Sequence, residues 1–83
     1  MRAEDLLPDQ LNHGDFNGTQ VRKGTVGAFL INARLWSDPG TSAQQRRVAE
    51  EDLLAALPAL RALGLFELMR VRDPALRTLC EQD

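Results

Sequence analysis

From Ser42 to Gly64 the sequence carries the pattern of one long amphipathic helix, and this stretch narrows the possible folds more than any other. Ser42-Ala43-Gln44-Gln45 matches a capping box, in which the Ser42 hydroxyl and the Gln45 side chain each satisfy an amide left open at a helix start. Ala49, Leu53, Ala56, Leu57, Leu60 and Leu63 then recur at three- and four-residue spacing, the period of a single buried helical face. Arg46, Arg47, Glu50 and Glu51 fall on the other side, where Arg46–Glu50 and Arg47–Glu51 are spaced for ion pairs. Gly64 is a natural residue for the position after a helix end, and Leu65-Phe66-Glu67-Leu68-Met69 supplies the apolar contact that follows such a stop. Pro58 removes one helical hydrogen bond and crowds the Leu54 carbonyl. Because the apolar period continues to Leu63, the pattern predicts a kinked but continuous helix.

The rest of the chain is read around that helix. Leucine (14) and alanine (10) far outnumber valine (4) and isoleucine (1), a balance that favours helix over sheet. Gly24-Thr25 opens a helix predicted over Val26–Trp36, with Thr25 as its cap. Val26, Phe29, Leu30, Ala33 and Leu35 or Trp36 are spaced to form its buried stripe, and Gly27 lets another backbone come close. Ser37 to Thr41 is a loop by composition. Asp73-Pro74 pairs a capping residue with the position where proline is best tolerated, so a last short helix follows, with Leu76, Leu79 and Cys80 on one face. Upstream, Asn17-Gly18 is a strong hairpin signal, because both residues accept positive φ. Phe16 and Val21 are expected to flank that turn, with a ragged first strand at His13-Gly14-Asp15. A short helix over 3–12 is interrupted by Pro8, and weak order is expected over 1–12. The expected architecture is a single small domain over 1–83, mainly α (α+β): three to four helices on one leucine-rich core, with a short N-terminal β-hairpin.

Charge and special residues then limit the chemistry. Residues 1–40 carry four basic and five acidic groups and residues 41–83 carry six and seven, so each half nets −1 and there is no basic arm or acidic tail. No segment approaches the roughly 20 consecutive apolar residues of a membrane-spanning helix. The acidic start of the chain does not match a signal peptide, and a lone thiol suits a reducing compartment, so the cytoplasm is the expected location. Cys80 has no second cysteine with which to close a disulfide, and His13 has no second histidine for a metal cluster. Glu50, Glu51 and Asp52 are consecutive on a helix and point too far apart to share a cation. No cofactor fingerprint is present, and no catalytic or metal-binding residue is assigned.

Two groups of residues are candidates for recognition. Arg22, Lys23, Gly24 and Thr25 place two cations at a helix start, which describes a weak anion site. Trp36, Phe66 and Met69 are large apolar residues suited to an interface, although a tryptophan also covers the edge of a small core. Gly24-Thr25-Val26-Gly27-Ala28-Phe29-Leu30-Ile31-Asn32-Ala33, together with Ala56-Leu57-Pro58-Ala59-Leu60-Arg61-Ala62-Leu63-Gly64-Leu65-Phe66-Glu67-Leu68 and the upstream Asn17-Gly18 turn, resembles a family of small uncharacterised bacterial proteins with a Gly-Thr-Val helix start and a later Pro-x-Leu…Gly-Leu-Phe segment. The resemblance spans roughly residues 15–70 and implies no activity or catalytic residue. Where that family continues into a tryptophan-containing turn and an arginine-rich end, this chain has Met69-Arg70-Val71-Arg72-Asp73-Pro74.

A domain this short buries about 60–65% of the surface that its unfolded chain exposes, which leaves stability marginal without a staple such as a disulfide, a metal or a second subunit. The sequence therefore predicts a non-enzymatic helical module that acts through protein contacts, chiefly as a homodimer. The alternatives are a nucleic-acid-binding regulator using clustered arginines (Arg22-Lys23, Arg46-Arg47, Arg70 and Arg72) and a small anion- or ligand-binding protein.

Overall fold

A computed structural model describes residues 1–6, 11 and 13–81. Much of the helix expected over 3–12, including Pro8, lies outside the described residues. Ala3–Leu6 forms a single helical turn (α1), where the Arg2 amide donates to Asp5 Oδ2 at 3.0 Å.

The hairpin forms from His13–Phe16 (β1) and Thr19–Arg22 (β2), joined by Asn17 and Gly18. Both turn residues have positive φ, 51° and 82°, the geometry that lets a two-residue turn follow the strand twist. The turn sets the register, with Phe16 opposite Thr19, Asp15 opposite Gln20, Gly14 opposite Val21 and His13 opposite Arg22. Two expectations are corrected here. Thr19, not Val21, flanks the turn with Phe16, and β1 is regular along its whole length rather than ragged, because the tight turn extends pairing to residues with poor strand preference. Gly14, Phe16, Thr19 and Val21 face inward and their neighbours face solvent. Asn17 has a second role: its side-chain Nδ2 donates to the Ala62 carbonyl at 2.7 Å and ties the hairpin to the end of the long helix.

Thr25–Ser37 (α2) and Ala43–Leu63 (α3) form an antiparallel helical pair joined by a short loop. The capping box at Ser42 is complete: the Gln45 amide donates to Ser42 Oγ at 3.1 Å and the Ser42 amide to Gln45 Oε1 at 3.4 Å. The helix runs unbroken through Pro58. Leu54 and Pro58 are both exposed, so the carbonyl deprived of its amide partner is open to water. Gly64 ends α3 with φ 85°, its amide donating to the carbonyls of Arg61 and Leu60, and the same residue starts a single turn over Leu65–Leu68 (α4). Asp73 caps Pro74–Cys80 (α5), with Oδ2 accepting from the Leu76 amide at 2.8 Å. Arg77 fastens the preceding loop, donating from Nε to the Val71 carbonyl at 2.7 Å and from Nη2 to the Arg72 carbonyl at 3.1 Å.

The core lies along one side of α3. Ala49, Leu53, Leu57 and Leu60 are buried, with Leu53 and Leu60 fully enclosed. Phe29 and Trp36 reach them from α2, and Leu76, Leu79 and Cys80 from α5. The protein is mainly helical with an N-terminal hairpin, as its composition predicts.

Candidate interaction site

Helix α2 is joined to α3 by an unusual anchor. Trp36 is buried, and its indole Nε1 donates to Glu50 Oε1 at 2.9 Å. The Arg46 guanidinium lies over the indole ring, 4.4 Å from its centre. Trp36 therefore belongs to the core rather than to a surface presented to a partner. The Arg46–Glu50 pair expected along α3 is replaced by this arrangement, and among the described residues no ion pair joins Arg47 to Glu51. A part-buried charge-assisted hydrogen bond and a stacked guanidinium outweigh exposed helical ion pairs, which are worth only a few tenths of a kcal/mol.

The remainder of α2 departs from the predicted stripe. Phe29 and Trp36 are buried and Ala33 is half-buried, but Val26, Leu30 and Leu35 are exposed. So is Ile31, at 64%. In 13 residues this helix has one charged side chain, Arg34. A helix apolar on every side is ordinarily covered on every side, yet α2 rests chiefly on α3. Its outer surface continues into an apolar groove of about 350 Å³ in which Val26, Leu30 and Ala33 of α2 face Leu65, Phe66 and Met69 across the cleft. Phe66 is half-buried against the core, whereas Met69 is 67% exposed and the neighbouring Leu68 is 88% exposed. Of the three interface candidates, the structure thus brings Phe66 and Met69 to one groove and places Trp36 in the core.

The four residues proposed for anion binding lie together, but the hollow beside them suits another kind of occupant. Arg22, Lys23, Gly24 and Thr25 border a cavity of about 250 Å³ whose other walls are largely apolar, formed by residues such as Leu6, Phe16, Val21 and Leu63. Thr25 does not cap α2. The cap position is Gly24, with φ 89°, and the Thr25 hydroxyl turns back to donate to the Arg22 carbonyl at 2.7 Å. A glycine at that left-handed position orients the chain for the helix without a side-chain cap.

Cys80 lines a larger cleft of about 620 Å³ with Arg61, Glu67, Arg70 and Glu81. The thiol is nevertheless buried. Burial pushes its pKa up by more than the Arg61 charge lowers it, and Glu81 adds to the rise. A protonated thiol is a poor nucleophile. Arg61 is engaged here, its Nη2 donating to the Cys80 carbonyl at 3.2 Å, and Arg70 approaches Glu81 at 3.7 Å. His13, the one histidine, is exposed on the hairpin, on a different element from Cys80. Among the described residues no group of three histidine, cysteine, aspartate or glutamate side chains is placed to hold a metal ion, and no helix is long and apolar enough to cross a membrane.

Two of the basic pairs stand apart, and the third, Arg70 and Arg72, lines the apolar groove beside α2. Arg22 and Lys23 precede α2, whereas Arg46 and Arg47 stand on the first turns of α3, beside the other end of α2. A helix of that length separates them by about 20 Å.

The main feature that sequence reasoning missed is the outer face of α2, with Val26, Leu30 and Ile31, continuous through the groove with Leu65. A signal was present in the scarcity of charge between Thr25 and Ser37. No family model, curated protein or solved structure matches this chain.

Proposed function

We propose that this chain is a non-enzymatic helical interaction module, located in a reducing cytoplasm, that associates with itself through the outer face of α2 and the adjoining groove. One observation carries the reading: α2 is apolar around its circumference but covered on one side, so much of its apolar surface is left in water. Burying such surface stabilises by about 25 cal/mol per Å², and a core of this size gains from the contribution. A second copy supplies an apolar face of matching character without requiring any other partner. Apart from Arg70 and Arg72 the groove is lined by apolar side chains, short of the convergent polar groups that fix a small ligand, and a chain of net charge −2 lacks the basic excess of a nucleic-acid-binding domain.

Sedimentation equilibrium over low to high micromolar concentrations tests this proposal. The expected result is a concentration-dependent shift from one chain mass to two. A single-chain mass throughout that range contradicts it.

A further inference from the structure

Resting on the self-association just proposed, we infer that the interface is an antiparallel pairing of two α2 helices, centred between Leu30 and Ile31, with Gly27 of one copy opposite Arg34 of the other. Gly27, Leu30, Ile31 and Arg34 follow the i, i+3, i+4, i+7 spacing of a single helical stripe, and all four are exposed.

Gly27 is unexplained within one chain. A Cβ built there meets nothing within 4 Å, and its φ is not positive. Neither packing nor backbone conformation in the monomer requires a glycine at this place in the first turn of α2, where alanine has the higher helix propensity. A second copy whose Arg34 stem fills the space above it would account for it.

Charge selects the direction. In the antiparallel register Leu30 lies opposite Ile31, Val26 opposite Leu35, and Gly27 opposite Arg34, whose aliphatic stem fits over the glycine. The same register brings Lys23, just before one helix, toward Asp38, just after the other. In a parallel pair Lys23 faces Lys23, Arg34 faces Arg34 and Asp38 faces Asp38, all of like sign. The antiparallel arrangement also opposes the helix dipoles. With α3 behind each α2, the two chains form a four-helix layer of short-looped antiparallel helices.

Cysteine cross-linking tests the register. In a Cys80→Ala background, Gly27→Cys, Leu30→Cys, Ile31→Cys and Arg34→Cys are made as single variants and oxidised alone or in mixtures. The expected result is disulfide-linked dimer from Gly27→Cys mixed with Arg34→Cys, and from Leu30→Cys mixed with Ile31→Cys, but none from Gly27→Cys or Arg34→Cys alone. Self-linking of those last two, with no product from their mixture, means a parallel pair and overturns the inference while self-association stands. No cross-link from any combination of a protein that sediments as a dimer overturns the stripe. A protein that sediments as a monomer overturns both readings. A variant in the otherwise natural chain keeps the test independent of the Cys80 background. Gly27→Leu has open space in the monomer, so its helical circular dichroism should be unchanged while dimerisation weakens by roughly tenfold or more. Dimerisation as tight as that of the natural chain overturns the Gly27–Arg34 contact and the register built on it.

Discussion

Single residues in this protein hold its elements together by backbone geometry and by a few directed hydrogen bonds. Gly64 both closes α3 and opens α4 with φ 85°, and a Cβ there would lie 2.9 Å from Glu67 Oε2. The Glu67 carboxylate ends a flexible side chain and can move, so the left-handed backbone sets most of the penalty. Gly64→Ala should lower stability by about 1 kcal/mol or more, read as a lower denaturant midpoint at unchanged slope. Cys80 supplies a prediction in pH. Its pKa is raised in the folded chain, so the unfolded thiol ionises first as pH rises through its ordinary value of 9.0. Below that value both states keep the proton and the group adds no pH dependence. Above it the unfolded chain gains, and stability falls until the folded thiol ionises too. Denaturant midpoints followed from neutral to alkaline pH should show this loss in the natural chain and less of it in Cys80→Ala. An equal decline in both would contradict it. The Gly64 stop is local and legible in the sequence, whereas the environment of Cys80 depends on burial and on Arg61 meeting it across the fold, beside its chain neighbour Glu81.

At the scale of elements, legibility followed the strength of local rules. The capping box at Ser42, the apolar face from Ala49 to Leu63, the Asp73 cap and the Asn17-Gly18 turn each depend on neighbours within four residues, and each forms where the sequence predicts. Helix α2 is the contrast. Apolar residues occupy nearly every angle around it, so three- and four-residue spacing finds more than one stripe. Only the position of α3 determines that Phe29 and Trp36 go inward while Val26, Leu30 and Leu35 do not. The Arg46–Trp36–Glu50 anchor was hidden for the same reason, since it joins two helices between residues 14 positions apart, Trp36 and Glu50. The burial difference along α3 leads to a paired prediction. Leu60, fully enclosed, should cost about 2–5 kcal/mol on substitution by alanine. Leu54, exposed on the same helix, should change stability by about 0.5 kcal/mol or less. Chemical denaturation of the two variants checks both values, and equal losses would mean that α3 is covered on both sides.

For the molecule as a whole, the question is where the apolar surface goes. The three large helices enclose a narrow core along α3 and leave Val26, Leu30, Ile31, Leu68 and Met69 in contact with water. That excess was not legible as a site, because a groove lined by residues from 26 to 76 exists only once α4 and α5 return to the side of α2. Its extent gives the interaction reading its physical content: it is apolar surface that the proposed pairing would remove from water. The most direct test is the mass in solution of Ile31→Glu, compared with the natural chain and with Leu54→Glu, by sedimentation velocity at one micromolar-range concentration. Ile31 is exposed in a single chain, so a carboxylate there leaves the helical circular dichroism unchanged. The natural chain and Leu54→Glu should sediment as dimers and Ile31→Glu as a folded monomer. A natural chain that sediments as a monomer, or an Ile31→Glu variant that dimerises as tightly as the natural chain, would contradict the claim that α2 is covered by a second copy.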